Sequence, residues 1–201
     1  MPLKELREIK GGAELGIWKL TESVSELESL MSDEVISEKY KGFNHDLRRL
    51  EWLGTRALMS EMSLKKTLQY TEHGKPFYPS GPKISISHSK DFIAIIAHPE
   101  NEVGIDVQEV VDKVRRIKHK FCNPHELNWA TSDEDFTIIW STKEALFKVK
   151  ERNVLFKEDI QVSRPKNGHV HITYKENQVY LGVLLNLKNY EGVYLVESNY
   201  Q

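Results

Sequence analysis

The feature that most limits the fold of this chain is an order of patterns that occurs twice: a long amphipathic helix, then a series of short alternating strands. From about residue 46 to 62, apolar residues fall at Leu47, Leu50, Leu53, Ala57 and Leu58. That three-and-four spacing predicts one buried helical stripe, with Arg48, Arg49, Glu51 and Arg56 on the other faces. Strand patterns follow a turn-rich stretch at 70–83. Ile84 and Ile86 alternate with Ser85 and Ser87, residues 92–97 form a short apolar run, and Val103, Ile105 and Val107 alternate with Gly104, Asp106 and Gln108. Tight turns at 89–91 and 99–101 make these an expected antiparallel meander. A second helix, about 133–150, is expected to bury Phe136, Ile139, Trp140, Leu146 and Phe147. Strands are then predicted at 159–163, 169–174, 178–187 and 192–197; a first strand at 15–20 and a short capped helix at 21–31 precede everything. Helices packed on mostly antiparallel sheets define an α+β class with two similar halves, although no residue-level repeat supports a duplication.

Composition narrows the function. The longest apolar runs fall far short of the ~20 residues that a bilayer requires, and the opening MPLKELREIK is charged rather than signal-like, so a soluble protein acting in the cytoplasm is expected. One cysteine, Cys122, can form neither an intramolecular disulfide nor a thiolate cluster. Any metal must therefore be held by oxygen or imidazole, and oxygen ligands point towards Mg²⁺ or Ca²⁺. A net charge of −2 argues against a dedicated nucleic-acid binder. Within that balance KVRRIKHK (113–120) places five cationic residues in eight positions, either a solvated face or a patch for phosphates or an acidic partner.

Three motifs could carry chemistry. In VGIDVQ (103–108), alternation throws Asp106 onto the face opposite the buried valines, beside Gly104, which leaves the carboxylate accessible to a bulky ligand; a strand-end acid is the ordinary alternative. In WSTKEALFK (140–148), Glu144 and Lys148 are four apart, as in any exposed helical ion pair. ISISHS (84–89) ends a strand with Ser87 and Ser89 flanking His88, a cluster better suited to binding phosphate than to nucleophilic catalysis, because neighbours on a strand point to opposite faces.

Taken together with GKPFYP (74–79) and KFCNPHEL (120–127), these motifs resemble the Sfp-type 4′-phosphopantetheinyl transferases in order and spacing. The resemblance covers about residues 74–148. It implies a monomer of two α+β halves in pseudo-twofold arrangement: 1–100, binding the 3′-phosphate of coenzyme A, and 101–201, binding Mg²⁺ and diphosphate. It implies transfer of phosphopantetheine from coenzyme A to a serine of an apo acyl or peptidyl carrier protein, releasing adenosine 3′,5′-bisphosphate. By the same resemblance Asp106 and Glu144 hold Mg²⁺, and Lys148 and Lys143 neutralise the diphosphate. Lys75, Ser87, His88, Arg56 and Arg48 or Arg49 meet the phosphate end, and Glu126 lies near the site. Many members carry an acid where this chain has Gln108, leaving an amide that could reach the metal directly or through water and could not act as a base. Glu144 then becomes the expected base. The alternatives are a catalytically inactive module that binds coenzyme A or a carrier protein, for which Gln108 is the hint, and a metal-dependent hydrolase, which lacks the usual histidine spacing.

Overall fold

The computed structural model describes residues 3–9, 11–32, 36, 38–65, 68–175 and 177–197. In chain order the elements are β1 (Leu3–Ile9), β2 (Ala13–Lys19), α1 (Val24–Ser29), α2 (Glu38–Lys41), α3 (Asp46–Glu61), β3 (Gln69–Tyr70) and β4 (Pro76–Phe77). They continue with β5 (Lys83–Ser89), β6 (Phe92–His98), β7 (Val103–Glu109), α4 (Lys113–Arg116), a 3-10 turn (Lys118–Lys120), α5 (Pro124–Leu127) and α6 (Asp133–Lys150). Last come α7 (Phe156–Asp159), β8 (Ile160–Val162), β9 (His169–Tyr174), β10 (Gln178–Leu187) and β11 (Tyr190–Val196). The class is α+β, as the patterns predict.

Two antiparallel sheets, ordered β1-β2-β6-β5 and β7-β11-β10-β9-β8, pack against each other. Strand β6 explains the geometry. Its residues alternate between two cores: Phe92, Ala94 and Ile96 meet the second sheet, while Ile93, Ile95 and Ala97 meet α3. A strand covered on both faces needs a continuous apolar run, which is what 92–97 supplies. On β7, Val103, Ile105 and Val107 enter the intersheet core, and the opposite face lies against α6.

The expected three-strand meander breaks at this point. β5 and β6 pair, but β7 crosses to the other sheet and pairs with β11. The sequence pattern cannot distinguish the two arrangements, because β7 still lies along β5. Here the contact runs through side chains: Ser85 Oγ accepts from Ile105 N at 3.1 Å, and Ser87 Oγ accepts from Val107 N at 3.0 Å. Those hydroxyls satisfy amides that an unpaired strand edge would leave exposed in the interior.

Other details depart from the sequence reading. The first helix is capped by Ser23 and Glu26 rather than from Thr21, and β1, unforeseen, adds an outer strand. In α3, Leu47 is exposed, and Arg56, assigned above to an outer face, is buried. In α6, Phe147 is exposed at its end while Phe136, Ile139 and Leu146 are buried as expected. Residues 70–83 are not a bare connection, since β3 and β4 form a small hairpin there. No helix among the described residues is long and apolar enough to cross a membrane.

Candidate functional site

Gly104 determines how closely strand and helix approach. A Cβ there would stand 2.0 Å from the Ala145 carbonyl oxygen, so β7 and α6 touch backbone to backbone. The glycine therefore makes room for the helix, not for a ligand, which corrects the sequence reading. That contact brings Asp106, two residues further along β7, under Glu144 and Lys148 on α6.

Asp106 is buried yet accepts three hydrogen bonds: Lys148 Nζ at 2.9 Å, Ser87 Oγ at 3.1 Å and Gln108 Nε2 at 3.0 Å. Lys148 also donates to Ile105 O at 2.7 Å. Glu144 takes no hydrogen bond from the described residues. Burial, and then the Asp106 charge, push its carboxyl above the usual carboxylate range, with Lys148 opposing. Two carboxylates that repel one another, one of them free of donors, form a donor set a divalent cation would stabilise; Mg²⁺ needs only one or two protein carboxylates besides water and phosphate oxygens. Gln108 turns its amide nitrogen towards Asp106. Among the described residues no cluster of three His, Cys, Asp or Glu could hold a metal.

Lys148 also lines a cleft of about 460 Å³ between α3, β5, the 70–76 hairpin and the end of α6. Four cationic side chains face it, Arg48, Arg56, Lys75 and Lys148, together with His73, His88, Glu51 and Glu151 and an aromatic wall that includes Trp52, Tyr70 and Phe147. Arg56 is 5% exposed and lies over the Trp52 ring, 3.3 Å from its centroid. It donates to Trp52 O and Tyr70 Oη, each at 3.5 Å, and no carboxylate of the described residues pairs with it. A buried cation without a counter-charge marks a place for an anion. Arg48 lines the same cleft while pairing with Glu51 at 2.9 Å, whereas Arg49, which does not line it, donates to Phe43 O.

His88 projects from β5 on the α3 side, opposite to Ser87, as strand alternation requires. Thr55 Oγ1 donates to Glu51 O at 2.6 Å and lies 3.3 Å from His88 Nε2. Although the ring is open to the cleft, the protein around it displaces bulk water and lowers its pKa; Lys148, Arg48 and Arg56 add to this and Glu51 opposes it.

Three expected site residues lie elsewhere. Ser87 is buried outside the cleft, its hydroxyl engaged by Asp106 and Val107 N, so it holds the carboxylate and cannot bind phosphate. Lys143 is fully buried on another face of α6, where Nζ meets Glu126 at 2.8 Å and the carbonyls of Phe121, Phe156 and Ile160. Glu126 in turn accepts from Asn123 N and Val162 N. Burial raises the Glu126 carboxyl and lowers the Lys143 ammonium from their ordinary values, while each partner's charge and this hydrogen bonding oppose the shift. Neither residue touches the cleft; together they fasten α5, α6 and β8. Cys122, also buried, has its thiol pushed up to about 12 by burial, which makes it inert.

Thr55, Trp52, Tyr70, Phe147 and Glu151 were missed as cleft residues. Thr55 follows Glu51 by one turn and was detectable from helix geometry; Glu151, just past the helix end, had no pattern to reveal it.

The α+β fold thus sets a cation-lined cleft beside a carboxylate pair, with Lys148 between them. Residues 102–192 match the family model of the 4′-phosphopantetheinyl transferase superfamily. That segment, a little under half of the chain, carries Asp106, Glu144 and Lys148. The chain is also 31% identical over 129 residues to the 4′-phosphopantetheinyl transferase AcpT of Salmonella typhimurium (strain LT2), covering 59% of this chain and 65% of that protein. It is 33% identical over 112 residues to AcpT of Escherichia coli (strain K12), covering 50% and 57%. The match thus spans less than two thirds of these relatives' length.

Proposed function

We propose that this protein is a 4′-phosphopantetheinyl transferase of the Sfp type, moving phosphopantetheine from coenzyme A to a serine of an apo acyl or peptidyl carrier protein. The observation that carries the reading is Lys148, which lines the cationic cleft and binds Asp106 beside Glu144. It connects a place for a nucleotide's phosphates to a place for a cation on the matched segment.

Arg56 and Arg48 would hold the 3′-phosphate, His88 would add a donor once protonated, and Trp52 and Tyr70 would lie against the flat base. Lys148 would orient the diphosphate while keeping Asp106 in place. Asp106 and Glu144, with Gln108 through water, would hold Mg²⁺, which when bound would offset the charge that builds at phosphorus. The carrier serine is the nucleophile. Glu144, which takes no hydrogen bond from the described residues, would take its proton as the new phosphorus–oxygen bond forms and adenosine 3′,5′-bisphosphate departs. The exposed Lys113, Arg115, Arg116 and Lys120 would steer an acidic carrier, although Arg115 and Arg116 also pair with Asp133 and Asp112.

One observation favours a second reading, a module that binds coenzyme A or a carrier without catalysis: Gln108 supplies no third charge and donates to Asp106. Chromatography decides between them. The transferase reading expects adenosine 3′,5′-bisphosphate only when apo carrier, coenzyme A and Mg²⁺ are all present, and its loss in Asp106→Asn. Binding of coenzyme A without that product would support the module.

A further inference from the structure

The Lys75 ammonium is not free. It donates to Glu151 at 2.7 Å and to Glu102 at 2.9 Å, and Glu102 also pairs with Lys83 at 2.9 Å. Two lysines and two glutamates thus form a network with no net charge. Glu151 is an unexpected member. It caps α6 at φ +66, in the left-handed region that costs a non-glycine residue energy, and it puts an acid at the negative end of a helix dipole. It also faces the cleft, a second carboxylate besides Glu51 among four cationic side chains. A residue unfavourable on three local counts points to a role.

We propose that Glu151 sets the affinity of the cleft for polyanionic phosphate ligands by holding Lys75 in an internal ion pair, so that Lys75 contributes little to binding in the wild-type protein. Burial works against the charge of Lys75, but Glu151 and Glu102 outweigh it and hold the ammonium above the usual lysine range. Without Glu151, Glu102 alone faces two lysines, and the rim of the cleft gains one positive charge. The working anion contacts are then Arg56, Arg48, His88 and Lys148. Arg152, paired with Glu72 at 2.6 Å, still fastens the hairpin turn to the helix end.

The proposal rests on the cleft being the anion site of the transferase reading, and titration calorimetry with coenzyme A, without Mg²⁺ or carrier, tests it separately. Glu151→Gln should tighten binding roughly three- to tenfold and steepen its dependence on salt. Lys75→Met should weaken wild-type binding less than about threefold yet cancel the gain in the Glu151→Gln background. Equal or weaker binding by Glu151→Gln, or a loss of about tenfold or more in Lys75→Met alone, overturns the proposal. Glu72→Gln loosens the turn without touching Lys75; a gain there as large as in Glu151→Gln also overturns it. Wild-type protein that binds coenzyme A but transfers nothing sinks the transferase reading and leaves these arms to decide on Glu151. If neither wild type nor Glu151→Gln binds coenzyme A, both fail.

Discussion

Lys143 and Lys148 lie five residues apart on one helix and do opposite work. Five residues turn the helix about 140°, whereas Glu144 and Lys148 differ by only about 40°. Helical geometry alone therefore separates Lys143 from the pair, and grouping it with them by motif hid that. Lys143→Met would leave Glu126 buried without its counter-charge, at a cost of about 3–5 kcal/mol. Urea unfolding should show it as a lowered midpoint. Lys148→Met should cost less stability, because Ser87 and Gln108 still donate to Asp106. His88 makes a different prediction. Its pKa in the folded protein is depressed, so its contribution to stability is present above the ordinary imidazole value and is lost as pH falls through the folded one. A phosphate in the cleft would reverse that preference. Calorimetry in two buffers of different ionisation enthalpy should show proton uptake on binding coenzyme A near neutral pH, absent in His88→Gln. The alternation around ISISHS revealed which face each side chain takes, but not that Ser87 would serve the carboxylate.

At the scale of elements, the periodic patterns located both long helices and most strands within a residue or two, since α6, β9 and β10 are bounded by clear changes of period. Pairing was less legible. Nothing in residues 84–109 states that β7 leaves its neighbours for β11, because the decision rests on partners about eighty to ninety residues away. The substitute contact, serine hydroxyls to strand amides, reads in sequence as ordinary alternation. Gly104 is where this level controls the site. Gly104→Ala would force β7 and α6 apart against backbone, not against a side chain that could yield. The expected result is a loss of about 1–3 kcal/mol in stability, read by thermal unfolding, together with weakened transfer as Asp106 moves away from Glu144.

Over the whole molecule, the strands of the four-stranded sheet all precede residue 99 and those of the five-stranded sheet all follow residue 102. We propose the division of the chain at 100/101 on that basis, with α3 and the end of α6 bringing one face of each half to the cleft. The cation-lined cleft lies on one side and the Asp106–Glu144 pair on the other, and Lys148 joins them. We propose that this arrangement performs transfer and not binding alone. The direct measurement is mass spectrometry of apo acyl and peptidyl carrier proteins after incubation with the protein, coenzyme A and Mg²⁺. The expected result is a gain of one phosphopantetheine unit on a carrier serine, abolished by chelation and by Asp106→Asn. Unchanged mass across several carriers, with the protein folded and binding coenzyme A, would contradict it.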